Sequence, residues 1–328
     1  MGVGKDRLGN TYSVTYHDGT GNIIGATYAS ITTQGHLNLI DSGVTPTAPA
    51  DGKLILFVED HAGRVLPSAI GPSGVDYILQ SSLYGNTNYV WLPGDGATVA
   101  ENWGTSWTAR NAGATPGAQS HPVKTSTNSM TSMNRANFTT TIAVASSGIQ
   151  STTTVAWLGN ADGLGGFLFF ARFVRERYTT GNYAVLVGLS ELNASMTEDL
   201  SSGATNKNTI ALGKDVADTT WQIITRSATT VGLVNGTNYN KIDTGITITD
   251  GQILDLYIHS APNSQSVRFQ IKNAVTGADL YVSSSPITTA GTLPANSVFL
   301  YAHAQLQSTV GANTKILSLN TMYVECDL

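Results

Sequence analysis

The sequence predicts a mainly β chain with an extended N-terminal arm, one short helix at about residues 74–83 and an antiparallel β-sandwich filling its C-terminal part. Three observations carry that expectation. From Asn134 onward, alternating apolar and polar runs are separated by turn residues, the pattern of two packed antiparallel sheets. The charged fraction is only 12%, against about 25% in an average globular chain. Its place is taken by hydroxyl residues and 34 glycines, which favour turns and strands over long surface helices. Finally, one brief stretch, with Val75, Ile78, Leu79 and Leu83, shows helical spacing.

These observations divide the chain into an arm (1–50), a strand pair with a short helix and an irregular connector (51–130), and a sandwich (131–328). In the arm, residues 11–40 set short alternations between Asp-Gly and Gly-Asn turns, which read as small strands or as an extended arm that leans on a partner. DSGVTPTAPADG, residues 41–52, is a Pro/Gly connector. KLILFVEDHAGRVLP then reads as a strand with Leu54, Leu56 and Val58 on one face and Ile55 and Phe57 on the other. A turn at His61-Ala62-Gly63 leads to a return strand through Arg64, Val65 and Leu66. A strand apolar on both faces has to be covered on both sides, and a neighbouring subunit is one candidate cover.

In GPSGVDYILQSSL, residues 71–83, Pro72 and Gly74 frame a turn, and Ser73 with Asp76 has the reciprocal arrangement of a capping box. Val75, Ile78, Leu79 and Leu83 then line one stripe. A helix of about two turns does not persist alone in water. The stripe is therefore expected to pack on residues 53–58 or on its own symmetry copies. Residues 84–130 are the least regular stretch; Trp91, Trp103 and Trp107 read as packing at a domain boundary, with aromatic platforms for sugar as the alternative.

Within the sandwich, GFLFFARFVRERY puts Phe167, Phe169, Ala171 and Phe173 on one face, while the other passes from Leu168 and Phe170 to Arg172 and Glu176. SVRFQIKN turns Val267, Phe269 and Ile271 inward and Arg268, Gln270 and Lys272 outward. The closing run alternates Leu317, Leu319, Thr321 and Tyr323 against Ser318, Asn320, Met322 and Val324. Truncation there is expected to unfold the sandwich.

Several function classes lose support. With 17 Lys and Arg against 22 Asp and Glu, the chain lacks the positive excess that phosphate neutralisation needs, so nucleic acid is not an expected partner. No run approaches the ~20 apolar residues of a membrane span, and the first residues lack the apolar core of a secretory signal. Cys326 is the only cysteine, which leaves no intrachain disulfide and no thiolate zinc site. No nucleotide-binding glycine motif, HExxH or GxSxG occurs, and the six histidines are scattered. A glycosidase needs two carboxylates about 5 to 9 Å apart. Asp162, Glu176, Glu191, Glu198, Asp215, Asp218 and Asp255 are numerous enough for chance proximity and read as solvated turn and edge carboxylates. NADG, residues 160–163, lacks the full ligand pattern of a calcium loop. No catalytic, cofactor or metal site is therefore expected. In TWQIITRS, Trp221 and Arg226 offer a flat contact and a charged donor for a glycan; Trp221 is instead a core residue if Ile223 shares its face.

Two stretches resemble bacteriophage virion proteins of the tail-fibre and appendage type. PADGKLILFVEDHAGRVLPSAIGPSGVDYILQSSL, residues 49–83, is similar to a segment of such chains in which a strand is followed by Gly-Arg-Leu-Leu-Pro, Gly-Pro-Ser-Gly and Leu-Gln. Here Val65 replaces a leucine, and Gln80 is not followed by proline. Across residues 211–328, Asp-Thr-Thr-Trp-Gln-Ile, Leu-Pro-Ala-Asn-Ser at 293–297 and Tyr-Val-Glu-Cys-Asp at 323–327 resemble the C-terminal module of the same proteins. The resemblance implies a structural virion component, not an enzyme. It would be homotrimeric, attached to other virion proteins through its N-terminal region, with an outward jelly-roll, concanavalin-like and lectin-like sandwich that binds host-surface glycan or pilus. A tail appendage is favoured over a capsid-surface head fibre or decoration protein; a polysaccharide-degrading virion enzyme is the rival from another class.

Overall fold

The computed structural model describes residues 2–5, 11–14, 41, 43–50, 52–72, 76–78, 86–93, 101–103, 107–113, 117–140, 145–161, 164–177, 183–192, 194–195, 208–227, 235–289, 291–308 and 314–327. The chain divides into two compact units, Met1–Ile40 and Asp41–Leu328. In the first, β1 (Gly2–Lys5) and β2 (Thr11–Val14) pair antiparallel.

The second unit opens with a three-stranded antiparallel sheet of β3 (Ile55–His61), β4 (Arg64–Ile70) and β5 (Asp76–Ile78), in that order. The strand pair and its turn stand where the sequence places them. The helix does not: Asp76, Tyr77 and Ile78 pair with Ile70, Ala69 and Ser68 as an edge strand. About two turns of helix hold too few internal hydrogen bonds to persist, whereas the free edge of β4 offers ladder partners to Tyr77 and Ile78, both strand-favouring residues. Ile78 pairs with Ser68 of β4, and Val75, Leu79 and Leu83 fall outside the described residues. Coverage of the hairpin is one-sided. Leu54, Leu56 and Val65 are more than half exposed, while Leu66, Ala69 and Ile70 are buried.

The remaining strands build the sandwich. They are β6 (Asn86–Leu92), β7 (Glu101–Trp103), β8 (Trp107–Ala109), β9 (Ala112–Gly113), β10 (Ala118–Ser120), β11 (Ala136–Thr140), β12 (Ala145–Ser151), β13 (Phe167–Arg177), β14 (Tyr183–Ser190), β15 (Thr209–Lys214) and β16 (Thr220–Arg226). There follow β17 (Tyr239–Thr247), β18 (Ile253–Ser260), β19 (Arg268–Asn273), β20 (Asp279–Val282), β21 (Tyr301–Ser308) and β22 (Lys315–Asp327). Among the described residues, the first sheet runs β10-β11-β22-β13-β18-β19-β20, with β6 also on β22 and β7 on β6. The second runs β17-β16-β15-β14-β21-β12-β8, with β9 also on β12. Residues 84–130 were expected as an irregular connector, yet they supply strands to both sheets. Gly and Pro obscure strands this short, and pairing with longer neighbours fixes them.

One apolar core lies between the sheets. Phe167, Phe169, Ala171 and Phe173 of β13, Leu254, Leu256 and Ile258 of β18, and Phe269 and Ile271 of β19 meet Val185, Val187 and Leu189 of β14, Ile210 and Leu212 of β15, and Ala302, Ala304 and Leu306 of β21. Alternation puts each of these sets on the inner face of its strand. Trp91 is also in this core, its ring edge-on to that of Trp107 at 6.5 Å.

The closing strand departs from simple alternation. Leu317 and Leu319 face the core as expected, but so do Met322 and Val324, while Thr321 and Tyr323 do not. The register explains the reversal. Arg172 stands opposite Thr321 and Phe173 opposite Leu319, leaving Asn320 as an extra residue. This is a β-bulge, and one inserted residue exchanges the two faces of everything beyond it. A second irregularity between Arg175 and Arg177 on β13 offsets the slip. Asn320 is held by its side-chain amide, which donates to the Asn134 carbonyl at 2.6 Å. Asn320→Ala should therefore cost only about 1 kcal/mol. Deleting Asn320 would drive Tyr323 and Glu325 inward and should abolish cooperative melting, as followed by circular dichroism.

Candidate functional site

With the bulge in place, the outer face of the first sheet carries Leu168, Phe170 and Arg172 of β13 beside Asp255, Tyr257 and His259 of β18. Arg268, Gln270 and Lys272 of β19 lie on one side of these, and Tyr323 and Glu325 of β22 on the other. The hairpin turn docks on this face. Ala62 and Gly63 take φ of 57° and 89°, the left-handed pair of a two-residue hairpin loop, and Asp60 Oδ1 accepts from the Gly63 amide at 2.5 Å. Glycine is favoured at 63 because the backbone there is left-handed, and a Cβ would also press on the Arg268 side chain, 2.8 Å from its Cδ.

His61, Ala62 and Arg64 each have a partner on the sheet. The Ala62 amide donates to Gln270 Oε1 at 3.2 Å, and its carbonyl accepts from His259 Nδ1 at 3.2 Å. The His61 ring stacks on Tyr257 at 4.6 Å, and Tyr257 leans on Phe170 at 5.0 Å. Arg64 donates to Glu325 Oε1, whose second oxygen accepts from the Tyr323 hydroxyl at 2.8 Å. Side-chain exposure is 15% for Arg64 and 3% for Glu325, so this ion pair is shielded from water.

Beside the turn is a cavity of about 480 Å³ lined by Asp41, Glu59, Asp60, Arg268, Lys272 and Asp279 among others. Its carboxylates are engaged internally. Asp41 accepts from the amides of Gly43 and Asp60 at 2.8 and 3.2 Å, and Asp279 accepts from Gln270 at 2.9 Å. Glu59 accepts from Thr45 at 2.7 Å and lies 3.5 Å from His61 and 3.6 Å from Lys272. The His61 contact, assisted by Thr45 and Lys272 and opposed by burial, holds the Glu59 carboxyl down to about 2. Chemically this is a clamp that fixes the hairpin to the sheet.

The residues singled out from sequence lie elsewhere. Trp221 is buried with Ile223 in the inter-sheet core, edge-on to Phe173 at 5.5 Å. Arg226, five residues on, points to the opposite face of β16 and has no exposed surface. They do not form one surface, and neither is open to a glycan. Farther across the sheet, the same outer face carries Gln150, His303, Gln305 and Gln307, all buried; burial pushes His303 down to about 3, so the ring stays neutral at physiological pH. Of the carboxylates considered for catalysis, Glu176 pairs with Arg135, Asp255 with Arg172, and Asp215 and Asp218 with Lys241. Glu191 accepts from Asn208, and Asp162 and Glu198 lie outside the described residues. Among the described residues, no cluster of three or more His, Cys, Asp or Glu is arranged to hold a metal ion. Sequence reasoning missed the role of Arg64 and Glu325, although both stand inside the motifs that carried the resemblance.

No family model matches the chain, and no curated protein matches it. Solved structures do. A protein of unknown function from Shewanella oneidensis MR-1 is similar at TM-score 0.47 and 8% identity, covering 76% of this chain and 90% of that one. Lectin II from Ulex europaeus is similar at 0.45 and 12%, covering 76% and 100%. A carbohydrate esterase from Shiga toxin-encoding bacteriophage phi24B is similar at 0.39 and 15%, covering 68% and 90%. At these values the likenesses carry nothing about ligand or activity.

Two outcomes test the clamp. Because Glu59 is depressed from 4.5 to about 2, its stabilisation is complete above pH 4.5 and lost as pH falls toward 2. Hydrogen exchange in residues 55–70 should rise across that window, and Glu59→Gln should remove the dependence. Gly63→Val meets both the positive φ and Arg268, and should free the hairpin to proteolysis and lower the melting temperature as Glu325 loses Arg64.

Proposed function

We propose that the chain is a non-enzymatic structural protein of a bacteriophage particle, a tail fibre or spike. In this reading it is homotrimeric, residues 1–50 engage other virion proteins, and the sandwich meets a receptor on the host surface. One observation carries the reading. The resemblance rests on two stretches far apart in the chain, and the arginine of one forms a shielded ion pair with the glutamate of the other. Arg64 belongs to the Gly-Arg-Val-Leu-Pro run, and Tyr323 and Glu325 to the closing Tyr-Val-Glu-Cys-Asp. A buried carboxylate without its partner is costly, so the two motifs are under one physical constraint. A catalytic pair of carboxylates would need one free to exchange protons, and the ion-paired acids above favour a binding or structural role.

The test is made on particles and on purified protein. Mass spectrometry should find the chain in purified virions, and light scattering should give three times the 34.4 kDa chain mass. The protein should bind host cells without releasing reducing ends from their polysaccharide. Absence from particles, or polysaccharide cleavage at catalytic rates, would overturn the reading.

A further inference from the structure

One end of the sandwich presents an aromatic surface that the core does not use. Ala156 and Leu300 form an isolated antiparallel bridge, and both are buried. Their neighbours Trp157 and Phe299 therefore turn the opposite way, out of the core. The two rings stack at 5.0 Å with 22° between their planes. Phe299 is 50% exposed, and Leu164 nearby in the chain is 39% exposed.

The backbone beneath the platform is held by three loops. The Gly159 amide donates to the Asn296 carbonyl at 3.0 Å, the Asn263 amide to the Leu158 carbonyl at 3.1 Å, and the Gly166 amide to the Trp157 carbonyl at 3.0 Å. A Cβ on Gly159 would lie 1.8 Å from the Leu164 carbonyl oxygen, so the loop closes on itself backbone to backbone. Asn263 and Gln265 adopt positive φ of 54° and 43°, a conformation that costs on the order of 1 kcal/mol or more for a residue with a side chain. The platform is thus fixed before any ligand arrives, which lowers the ordering cost of binding.

Chemistry narrows the ligand. Among the described residues of segments 157–166, 261–266 and 294–299 no side chain is charged, and these segments carry the amides and hydroxyls of Asn160, Asn263, Gln265, Asn296 and Ser297. Flat aromatic faces suit the apolar C–H face of a sugar ring, and amides suit its hydroxyls. A charged ligand would find no counter-charge among these described residues. We infer that the Trp157–Phe299 end of the sandwich is a binding site for neutral pyranose units of a surface glycan. The inference rests on the receptor-binding reading above and gives it a place and a ligand class.

The test probes the full chain against an array of neutral hexose and N-acetylhexosamine oligosaccharides beside sialylated and sulfated ones. Wild type should bind neutral members. Trp157→Ala and Phe299→Ala should each weaken binding by about tenfold or more, with the melting temperature nearly unchanged, and Phe299→Tyr should retain binding. The site is overturned if no neutral glycan binds, if acidic glycans are preferred, or if both alanine variants bind as wild type does. It is also overturned if binding to host cells survives periodate oxidation of their glycans, which would mark a protein receptor. Particles whose adsorption needs this chain yet tolerates Phe299→Ala would leave the functional reading standing and remove the site; absence of the chain from particles would remove the reading, with the array still deciding the site.

Discussion

The ion pair between Arg64 and Glu325 is the constraint around which the second unit is arranged. It joins residues 261 positions apart across the surface of a sheet, and its carboxylate is almost fully withdrawn from water. Burying a carboxylate costs several kcal/mol unless a cation and further donors replace its hydration. Arg64 and the Tyr323 hydroxyl do so, one at each oxygen. Two backbone devices make the meeting possible. The left-handed pair at Ala62-Gly63 folds the hairpin tightly enough to present Arg64, and the bulge at Asn320 turns Tyr323 and Glu325 outward. Remove either, and the charges no longer face each other.

Much of the sandwich was legible because its longest strands alternate with period two. Phe167 to Phe173 and Val267 to Ile271 sort onto inner faces by sequence alone, and the core contains them all. The hairpin was readable for a similar reason, its turn being marked by glycine. The misses have physical causes. A slip of one residue at Asn320 is invisible to a periodicity argument, since both parities of that run are apolar enough to be read as inward. The short stripe at 75–83 satisfied helical spacing, but at Asp76–Ile78 an open sheet edge outcompeted a helix too short to stand alone.

The site was harder to read than the fold. Trp221 with Arg226 looked like a binding pair because their types suit a glycan, yet an odd spacing along a strand sends two side chains to opposite faces. Both are interior. Arg64 and Glu325 carried no chemical signature of their own; only the recurrence of their motifs pointed to them, and only the folded register showed that they meet. The aromatic pair Trp157 and Phe299 was equally hidden, being 142 positions apart and adjacent through a single bridge. Together these features describe a hairpin clamped to the outer face of one sheet and an aromatic pair held by backbone hydrogen bonds among three loops.

The measurement that tests this account most directly is a double-mutant cycle on Arg64→Met and Glu325→Gln, read by thermal or denaturant melting together with hydrogen exchange in residues 55–70. Each single variant should be destabilised, the pair should be coupled by about 2 kcal/mol or more, and every variant that lacks Arg64 should lose protection in the hairpin. Effects that add within about 0.5 kcal/mol, with the hairpin equally protected throughout, would contradict it.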